Sequence, residues 1–502
     1  MSTPSRIGTL VVVGGGTAGW MTAAAMTQVL GDSVEIRLVE SDSIGIVGVG
    51  EATIPTIRDF NTLLGIDEND FIRRTRGSFK LGVEFVDWRQ SGARYLHSFG
   101  SHGRDTPSVR FHQLWLKLVQ EHSGGDDDLA RYSVAASAAG LGRFGKPQSD
   151  PNHPLSSYNY AYHFDATLYA AFLRDWSEAR GVTRTEGRIV SVERDGENGF
   201  VRALLLEDST RIAGDLFVDC TGFRSLLLGD TLGEPFEDWS HWLPCDRAVA
   251  MPCAATAPLL PYTRATADAA GWRWRIPLQH RTGNGYVYSS AHLDDAAALD
   301  RLIETLDGAP EGEPRRLYFK AGHRRRLWSH NVVAIGLAGG FLEPLESTSI
   351  HLIQTSIARL LQLFPDKSCA APERDAFNRQ TTLEYVQIRD FIILHYKATE
   401  RTNSLFWQQV GAMDVPDSLA EKIALFQSSG RIFRTSDELF SLDSWLSVLI
   451  GQGIMPQRHD PIADTFAAAA LRQQMTGLKS AIARAAETLP RHEEFIARHC
   501  AA

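Results

Sequence analysis

The strongest constraint on the fold is a glycine-rich turn that lies between two strand-like runs within residues 9–40. Apolar, β-branched residues lead into the sequence GGGTAG at residues 14–19. A small-residue helical pattern follows, and a second strand-like run ends at Glu40. This order of strand, turn, helix and strand is what the G-x-G-x-x-G fingerprint requires.

The residue types in this unit fit the contacts of a dinucleotide. Gly14 permits a tight turn, Gly16 lets backbone N–H groups approach a pyrophosphate, and Gly19 lets the helix pack closely on the strand. The positive end of the helix dipole faces the phosphates, and Glu40, 21 residues after Gly19, is placed to accept a ribose hydroxyl. The predicted cofactor contacts of the unit are Gly14, Gly16, Thr17, Ala18, Gly19 and Glu40.

Composition limits the function classes. The chain has 502 residues with 43% hydrophobic content, enough for two domains or one large intertwined unit. A net charge of −9 gives no electrostatic footprint for nucleic acid or anionic lipid. No apolar run reaches membrane-spanning length, and the N-terminus does not read as a signal peptide. Five cysteines without C-x-x-C spacing indicate reduced thiols in a cytoplasm, with neither a disulfide framework nor a metal site.

Two further segments carry predicted cofactor contacts. Residues 45–55, GIVGVGEATIP, hold three glycines in six residues, which favours a strap lying against the cofactor over an ordinary surface turn. Residues 331–336 form a buried strand that ends at a glycine. The predicted contacts in these segments are Val49, Gly50, Ala52, Ile335 and Gly336.

The order of strand and helix patterns predicts an α/β cofactor domain with a helical cap. Strands and helices alternate early, and a β-rich layer covers about residues 235–330. The chain is mainly helical from residue 351, notably at 351–364, 373–398 and 462–500. We place a cofactor-binding module at residues 1–364 and a helical substrate-capping module at residues 365–502.

Three other patterns allow an ordinary structural explanation when each is taken alone. Residues 271–277, GWRWRIP, alternate like a strand with both tryptophans on one face and both arginines on the other. Residues 341–351, FLEPLESTSIH, follow a buried strand and resemble a capped helix start. Lys80 lies between apolar neighbours, where a lysine is usually a surface residue with a partly buried stem.

Together with GGGTAG and GVGEATIP, these patterns resemble the flavin-dependent halogenases related to tryptophan halogenase. That family is marked by G-x-G-x-x-G and W-x-W-x-I-P, present here as GGGTAG and WRWRIP, and the resemblance extends from residue 10 to about residue 464. It implies a flavin-monooxygenase-like, Rossmann-type FAD-binding α/β module with a helical C-terminal substrate module.

The resemblance also implies the chemistry. Reduced FAD, delivered by a separate flavin reductase, would react with oxygen and chloride or bromide to give hypohalous acid. This would travel through an internal tunnel to Lys80, which presents an electrophilic halogen to an electron-rich aromatic ring. Glu346 would stabilise the cationic ring intermediate and remove its proton. The motif that separates the flavin from the substrate comprises Trp272, Trp274, Ile276 and Pro277.

The remaining implied residues concern halide and substrate. Ser347 would link the two sites, and the backbone of Thr348 and Ser349 would bind halide, although Ser349 stands where many relatives have glycine. His97 and Phe99 match an H-x-F pair that sandwiches an indole ring.

The nature of the substrate depends on the C-terminal module. Residues 440–446, FSLDSWL, lack the tyrosine pair with which tryptophan halogenases hold the amino acid. Trp445 would stack on a substrate ring or would belong to the core. We therefore expect indole or another small aromatic substrate.

Two other functions remain open at this point: a flavin-dependent aromatic hydroxylase and a non-catalytic FAD-binding redox protein. The oligomeric state also remains open, with a homodimer as one alternative.

Overall fold

The structure is a computed structural model that describes residues 5–42, 50–121, 128–435 and 437–502. Its strands are β1 (Thr9–Val13), β2 (Glu35–Glu40), β3 (Gly50–Ala52), β4 (Ser78–Lys80), β5 (Gly82–Val86), β6 (Arg94–Ser98), β7 (Ala161–Asp165), β8 (Thr183–Glu186), β9 (Ile189–Arg194), β10 (Val201–Leu206), β11 (Arg211–Ala213), β12 (Leu216–Asp219), β13 (Phe236–Asp238), β14 (Arg247–Ala250), β15 (Cys253–Ala254), β16 (Thr263–Asp268), β17 (Gly271–Pro277), β18 (Arg281–Tyr288), β19 (Arg315–Tyr318), β20 (Gly322–Arg324), β21 (Trp328–Ser329), β22 (Val332–Ala334) and β23 (Gly340–Phe341). Its α-helices are α1 (Thr17–Leu30), α2 (Thr56–Leu63), α3 (Glu68–Arg74), α4 (Phe111–Glu121), α5 (Val134–Gly140), α6 (Ala166–Glu178), α7 (Asp295–Glu304), α8 (Ser349–Gln362), α9 (Ala371–Lys397), α10 (Leu405–Ala412), α11 (Asp417–Ser429), α12 (Leu442–Gly451), α13 (Ala468–Glu487) and α14 (His492–His499).

The predicted strand–turn–helix–strand unit is confirmed at the centre of a six-stranded sheet. The strand order is β21-β22-β12-β1-β2-β8, and β1 runs parallel to both of its neighbours. Gly19 packs directly on the turn, since a Cβ there would lie 1.8 Å from the Gly14 carbonyl oxygen. Small residues in α1 allow the helix to lie close to both the sheet and α6. The parallel sheet therefore positions the glycine turn at its carboxyl edge.

The predicted β-rich layer is an eight-stranded sheet, in which β17 pairs with β16 and β18. Trp272 and Trp274 are buried on one face of β17, whereas Arg273 and Arg275 are half-buried and bind carboxylates. The layer also includes β5 and β6, because β5 pairs in parallel with β16. The sheet therefore reaches back to residues 82–98, outside the range of about 235–330 that the sequence predicts.

The C-terminal part is helical from α8 onward, as predicted, with one difference. The predicted helix at residues 462–500 is divided into α13 and α14, separated at Pro490. The His492 ring of α14 accepts a hydrogen bond from the Phe79 backbone N–H in the strand that carries Lys80. This hydrogen bond joins residues on the two sides of the proposed module boundary at residue 364. The boundary itself stays a prediction. Within the described residues, no helix has the length and apolar character needed to cross a bilayer.

Candidate active site

A cavity of about 440 Å³ begins at the glycine turn. Gly16 caps α1 without a side-chain hydrogen bond, and nothing lies within 4 Å of where its Cβ would be. The first-turn N–H groups are therefore left without a capping side chain beside open space, which fits a pyrophosphate. Among the predicted cofactor contacts, those that line the cavity are Gly14, Gly16, Thr17, Ala18, Glu40, Ala52 and Gly336.

The other predicted cofactor contacts are placed differently. Gly19 lies behind the turn, Gly50 pairs with Asp165, and Ile335 is buried with its N–H bonded to the Asp219 carbonyl. Val49 lies outside the described residues.

The carboxylate that ends β2 has a partner that sequence reasoning missed. Glu40 lies across Gly15, where a Cβ would meet its Oε2 at 1.4 Å, and Arg184 of β8 donates to its Oε1. Arg184 also binds Asp42. The parallel pairing of β2 with β8 brings the arginine there, so Glu40 is oriented at the cavity wall with one oxygen already bonded.

Lys80 is fully buried, which excludes the surface-lysine interpretation. Its Nζ donates to the Thr53 carbonyl and to Ser347 Oγ, both at 2.9 Å, and lies 5.2 Å from the centre of the Phe99 ring. Burial lowers the pKa of Lys80 to about 7, although the negative charge of Glu346 opposes the shift. Near neutral pH the amine is therefore available in both protonation states.

Glu346 lies next to Lys80 on a strained turn. Glu346 and Ser347 both have left-handed backbone conformations, with φ of 67° and 61°. The Glu346 carboxylate binds the rings of His97 and His395, at distances of 2.8 to 2.9 Å. Burial alone would raise the pKa of Glu346, but the two histidines hold it well below its usual range. Glu346 is therefore ionised in the folded protein.

One cavity connects these groups with the glycine turn. Its lining includes Glu346, Ser347 and Ser349 as well as the glycines, whereas the buried Thr348 and Lys80 are not part of the lining. Three residues of the W-x-W-x-I-P strand also line the cavity: Trp272, Trp274 and Ile276. Pro277 is buried and its carbonyl accepts a hydrogen bond from Ser78.

The predicted substrate residues divide into two groups. His97 and Phe99 lie near Lys80 with ring centres 6.3 Å apart and nearly perpendicular. Trp445 is fully buried behind Phe391, and its N–H donates to Glu438. This placement favours the interpretation of Trp445 as a core residue.

His395 is another residue that sequence reasoning missed. It belongs to α9, 49 residues after Glu346, and carries no motif of its own. The apolar rings of Phe391 and Phe440 are stacked with their centres 3.7 Å apart, and Phe391 contacts the His395 ring.

Comparison with known proteins identifies the family. The model of the tryptophan halogenase family matches residues 9–468. The chain belongs to the tryptophan halogenase family. It is 34% identical to tryptophan 6-halogenase SttH of Streptomyces toxytricini over 517 residues, which cover 97% of each chain.

Solved structures give the same result. The flavin-dependent halogenase Xcc4156 of Xanthomonas campestris superposes with a TM-score of 0.95 at 48% identity over 99% of each chain. BrvH, a flavin-dependent halogenase of Brevundimonas sp. BAL3, gives 0.94 at 47% identity, over 98% of this chain and 99% of BrvH. The protein is therefore a flavin-dependent halogenase that uses reduced FAD and halide, and it needs a flavin reductase and an aromatic substrate.

This halogenase also buries a second carboxylate, Glu343, three residues before Glu346. The Tyr396 hydroxyl donates to its Oε1 at 2.7 Å, and its Oε2 has no hydrogen-bond partner among the described residues. Burial raises the pKa of Glu343 to about 7, although the bond from Tyr396 opposes the shift. Glu343 therefore carries a proton at mildly acidic pH, unlike Glu346.

Glu343→Gln should make the halogenase more resistant to urea at pH 8 than the wild type, with little difference at pH 5. The folded-state pKa lies above the unfolded value, so the free energy of unfolding falls as pH rises between them. The total loss is about 3 kcal/mol, and a neutral amide removes it. Urea unfolding at both pH values measures the difference.

Glu384→Gln is the matched control. Glu384 is also buried, but it is paired with His351 and Arg359, and these partners lower its pKa despite burial. Its replacement should destabilise the halogenase at pH 8. A Glu343→Gln protein that is less stable than the wild type at pH 8 would contradict the assignment of a neutral buried acid.

Proposed function

We propose that this protein halogenates free indole or another small, uncharged, electron-rich aromatic. One observation carries the proposal: Ser347 and Glu346 line the same cavity as the glycine turn, and the buried Lys80 donates a hydrogen bond to Ser347. Bound reduced FAD, with oxygen and halide, supplies hypohalous acid.

Lys80 activates the hypohalous acid. Two of the three N–H groups on Nζ are held by Thr53 and Ser347, so one is left to bond the incoming oxidant. An ammonium polarises hypohalous acid by hydrogen bonding, and a free amine forms a haloamine. Both routes leave an electrophilic halogen at Nζ, close to the Phe99 ring.

Glu346 supplies a negative charge for the cationic ring intermediate. Its buried carboxylate stabilises the cation that forms when halogen adds to the ring, and it receives the proton that the ring then loses. Trp272 and Trp274 form the cavity wall that keeps the substrate from the flavin. Halide binds at the backbone of Thr348 and Ser349, where the Ser349 side chain narrows the cavity.

The cellular compartment of the enzyme is inferred from its free thiols and from its need for reduced flavin. The five cysteines are free and buried, which fits a reducing compartment. We infer that the enzyme acts in the cytoplasm, together with the reductase that supplies reduced FAD.

One experiment tests indole as the substrate. Protein, reduced FAD, bromide, oxygen and indole are mixed, and the products are read by mass spectrometry. Added bromine supports the proposal. Added oxygen or unchanged indole would show that this halogenase does not brominate indole.

Glu346→Gln should slow bromination by about 10- to 100-fold, the usual effect of removing one positioned proton acceptor. FAD affinity should not change, because the hydrogen bonds of Glu346 go to His97 and His395 and not to the glycine turn. Turnover and flavin binding are measured separately. Glu384→Gln is the control, because that carboxylate is paired with histidine outside the cavity. A collapse of flavin affinity in Glu346→Gln would assign Glu346 a structural role at its turn.

A further inference from the structure

Both oxygens of the Glu346 carboxylate are occupied by histidine rings. Oε1 lies 2.9 Å from His97 Nδ1 and 2.9 Å from His395 Nε2, and Oε2 lies 2.8 Å from His97 Nδ1. The carboxylate is almost fully buried, with 1% of its side chain exposed. It therefore acts on a substrate at least partly through these rings.

The hydrogen bonds of His395 fix where its protons lie. Its Nδ1 is 2.8 Å from the Phe391 carbonyl oxygen, which can only accept, so Nδ1 carries a proton. Its Nε2 faces Glu346 Oε1, a second acceptor. An additional proton must therefore lie between Nε2 and Oε1, and it offsets the negative charge of the carboxylate.

His97 has the opposite arrangement. Its Nδ1 faces both carboxylate oxygens and therefore carries the proton of the neutral ring. The other nitrogen, Nε2, then has a free lone pair, and no residue that the structure describes lies within hydrogen-bond distance of it. The ring is 98% buried and is surrounded by Phe99, Phe391 and Phe440.

A carboxylate bonded to Nδ1 of an imidazole whose Nε2 is free is the arrangement of a general base. The carboxylate sets the tautomer and stabilises the imidazolium that forms. Nε2 is also not one of the fully buried polar atoms that lack a partner, so a small molecule can reach it. Both points favour a role for Nε2 during the reaction.

We propose that His97 is the group that takes the ring proton, with Glu346 and His395 as its positioning residues. The C–H bond at the halogenated carbon breaks, its electron pair restores the aromatic ring, and the proton binds Nε2. Glu346 stabilises the resulting imidazolium, which later releases its proton to water. This inference rests on the proposed function and changes one part of it, because His97 and not Glu346 receives the ring proton.

A double-mutant cycle tests the proposal. Bromination of indole and of indole deuterated at the reacting carbon is followed in the wild type, His97→Phe, Glu346→Gln and the double variant. His97→Phe keeps an aromatic ring but should lose about 100-fold in rate, with a primary isotope effect that is absent in the wild type. The double variant should be no slower than His97→Phe, because the two residues act as one unit.

Phe99→Leu is the control for stacking. It should weaken indole binding without an isotope effect, because it removes ring contact and no base. The proposal is overturned if His97→Phe behaves like Phe99→Leu, or if the losses in His97→Phe and Glu346→Gln multiply. In either case Glu346 acts on the ring directly.

A spectroscopic measurement on the wild-type protein is independent of turnover. In ¹⁵N-histidine-labelled protein, His97 should show a protonated Nδ1 and an unprotonated Nε2, and both nitrogens of His395 should be protonated. Signals are assigned by their loss in His97→Gln and His395→Gln. A protonated Nε2 on neutral His97 would overturn the proposal. If the wild type makes no bromoindole, the proposed function fails, whereas the NMR result still decides whether the dyad exists.

Discussion

Lys80→Ala should abolish halogenation of the aromatic product, while reduced flavin, oxygen and halide still react in the same protein. The reason is geometric: Lys80 Nζ bonds Ser347 beside Glu346 and presents its remaining N–H close to Phe99. The substitution removes the amine that is proposed to activate hypohalous acid. It does not change the glycine turn that is proposed to bind the cofactor. Product formation, oxygen consumption and free hypohalous acid, captured by a scavenger dye, are measured together.

Lys117→Ala is the matched control for this prediction. Lys117 is also a buried lysine, but its Nζ donates to the carbonyls of Ala463 and Phe466, away from the cavity. Its variant should halogenate at the wild-type rate per folded molecule. Product formed by Lys80→Ala at near wild-type rate would show that free hypohalous acid halogenates the substrate without Lys80.

The pH dependence of the wild type separates the two roles of the amine. Burial lowers the pKa of Lys80 to about 7, so the ammonium fraction falls as pH rises through 7. If the ammonium activates hypohalous acid by hydrogen bonding, turnover falls over this range. If the free amine forms a haloamine, turnover rises.

Indole should be halogenated in strong preference to tryptophan. Burial of an ammonium and a carboxylate without partners costs several kcal/mol, and the segment that would hold them is apolar where it meets the site. Phe440 is stacked on Phe391, and Trp445 is buried behind them. A discrimination of about 3 kcal/mol corresponds to more than 100-fold.

Competition between equal concentrations of indole and tryptophan measures this preference. A loosely held indole should react at C3, its most nucleophilic carbon, and bromide should react faster than chloride because it is oxidised more easily. Tryptamine, which keeps the ammonium and lacks the carboxylate, separates the contributions of the two charges. A dominant halotryptophan substituted at one benzo position would mean that this enzyme has a clamp for the amino acid.

Local patterns accounted for the elements that determine the cofactor side. The glycine turn, α1 and β2 are consecutive in the chain, and the alternation of residues 271–277 reports directly which side chains of β17 are buried. Such short-range patterns can be interpreted from sequence because helix and strand geometry fix which neighbouring side chains share a face.

The arrangement around the carboxylate could not be predicted in the same way. His97 and His395 lie 249 and 49 residues from Glu346 along the chain, and only the packing of β6 and α9 brings them together. The sequence left Trp445 open between the core and a substrate pocket, because a tryptophan suits both places. The parallel pairing of β5 with β16 is likewise a long-range contact without a local signal.

The left-handed backbone at Glu346 and Ser347 has a consequence for engineering. A glycine at either position would relax a conformation that costs roughly 1 kcal/mol or more in other residues. At residue 346 the loss of the carboxylate that pairs with His97 and His395 outweighs this gain, so a library of variants ranked by heat resistance alone would favour glycine only at residue 347. The same library ranked by brominated product would reject it. Thermostabilisation of this enzyme should hold residue 347 fixed, because stability and activity favour different side chains at that position.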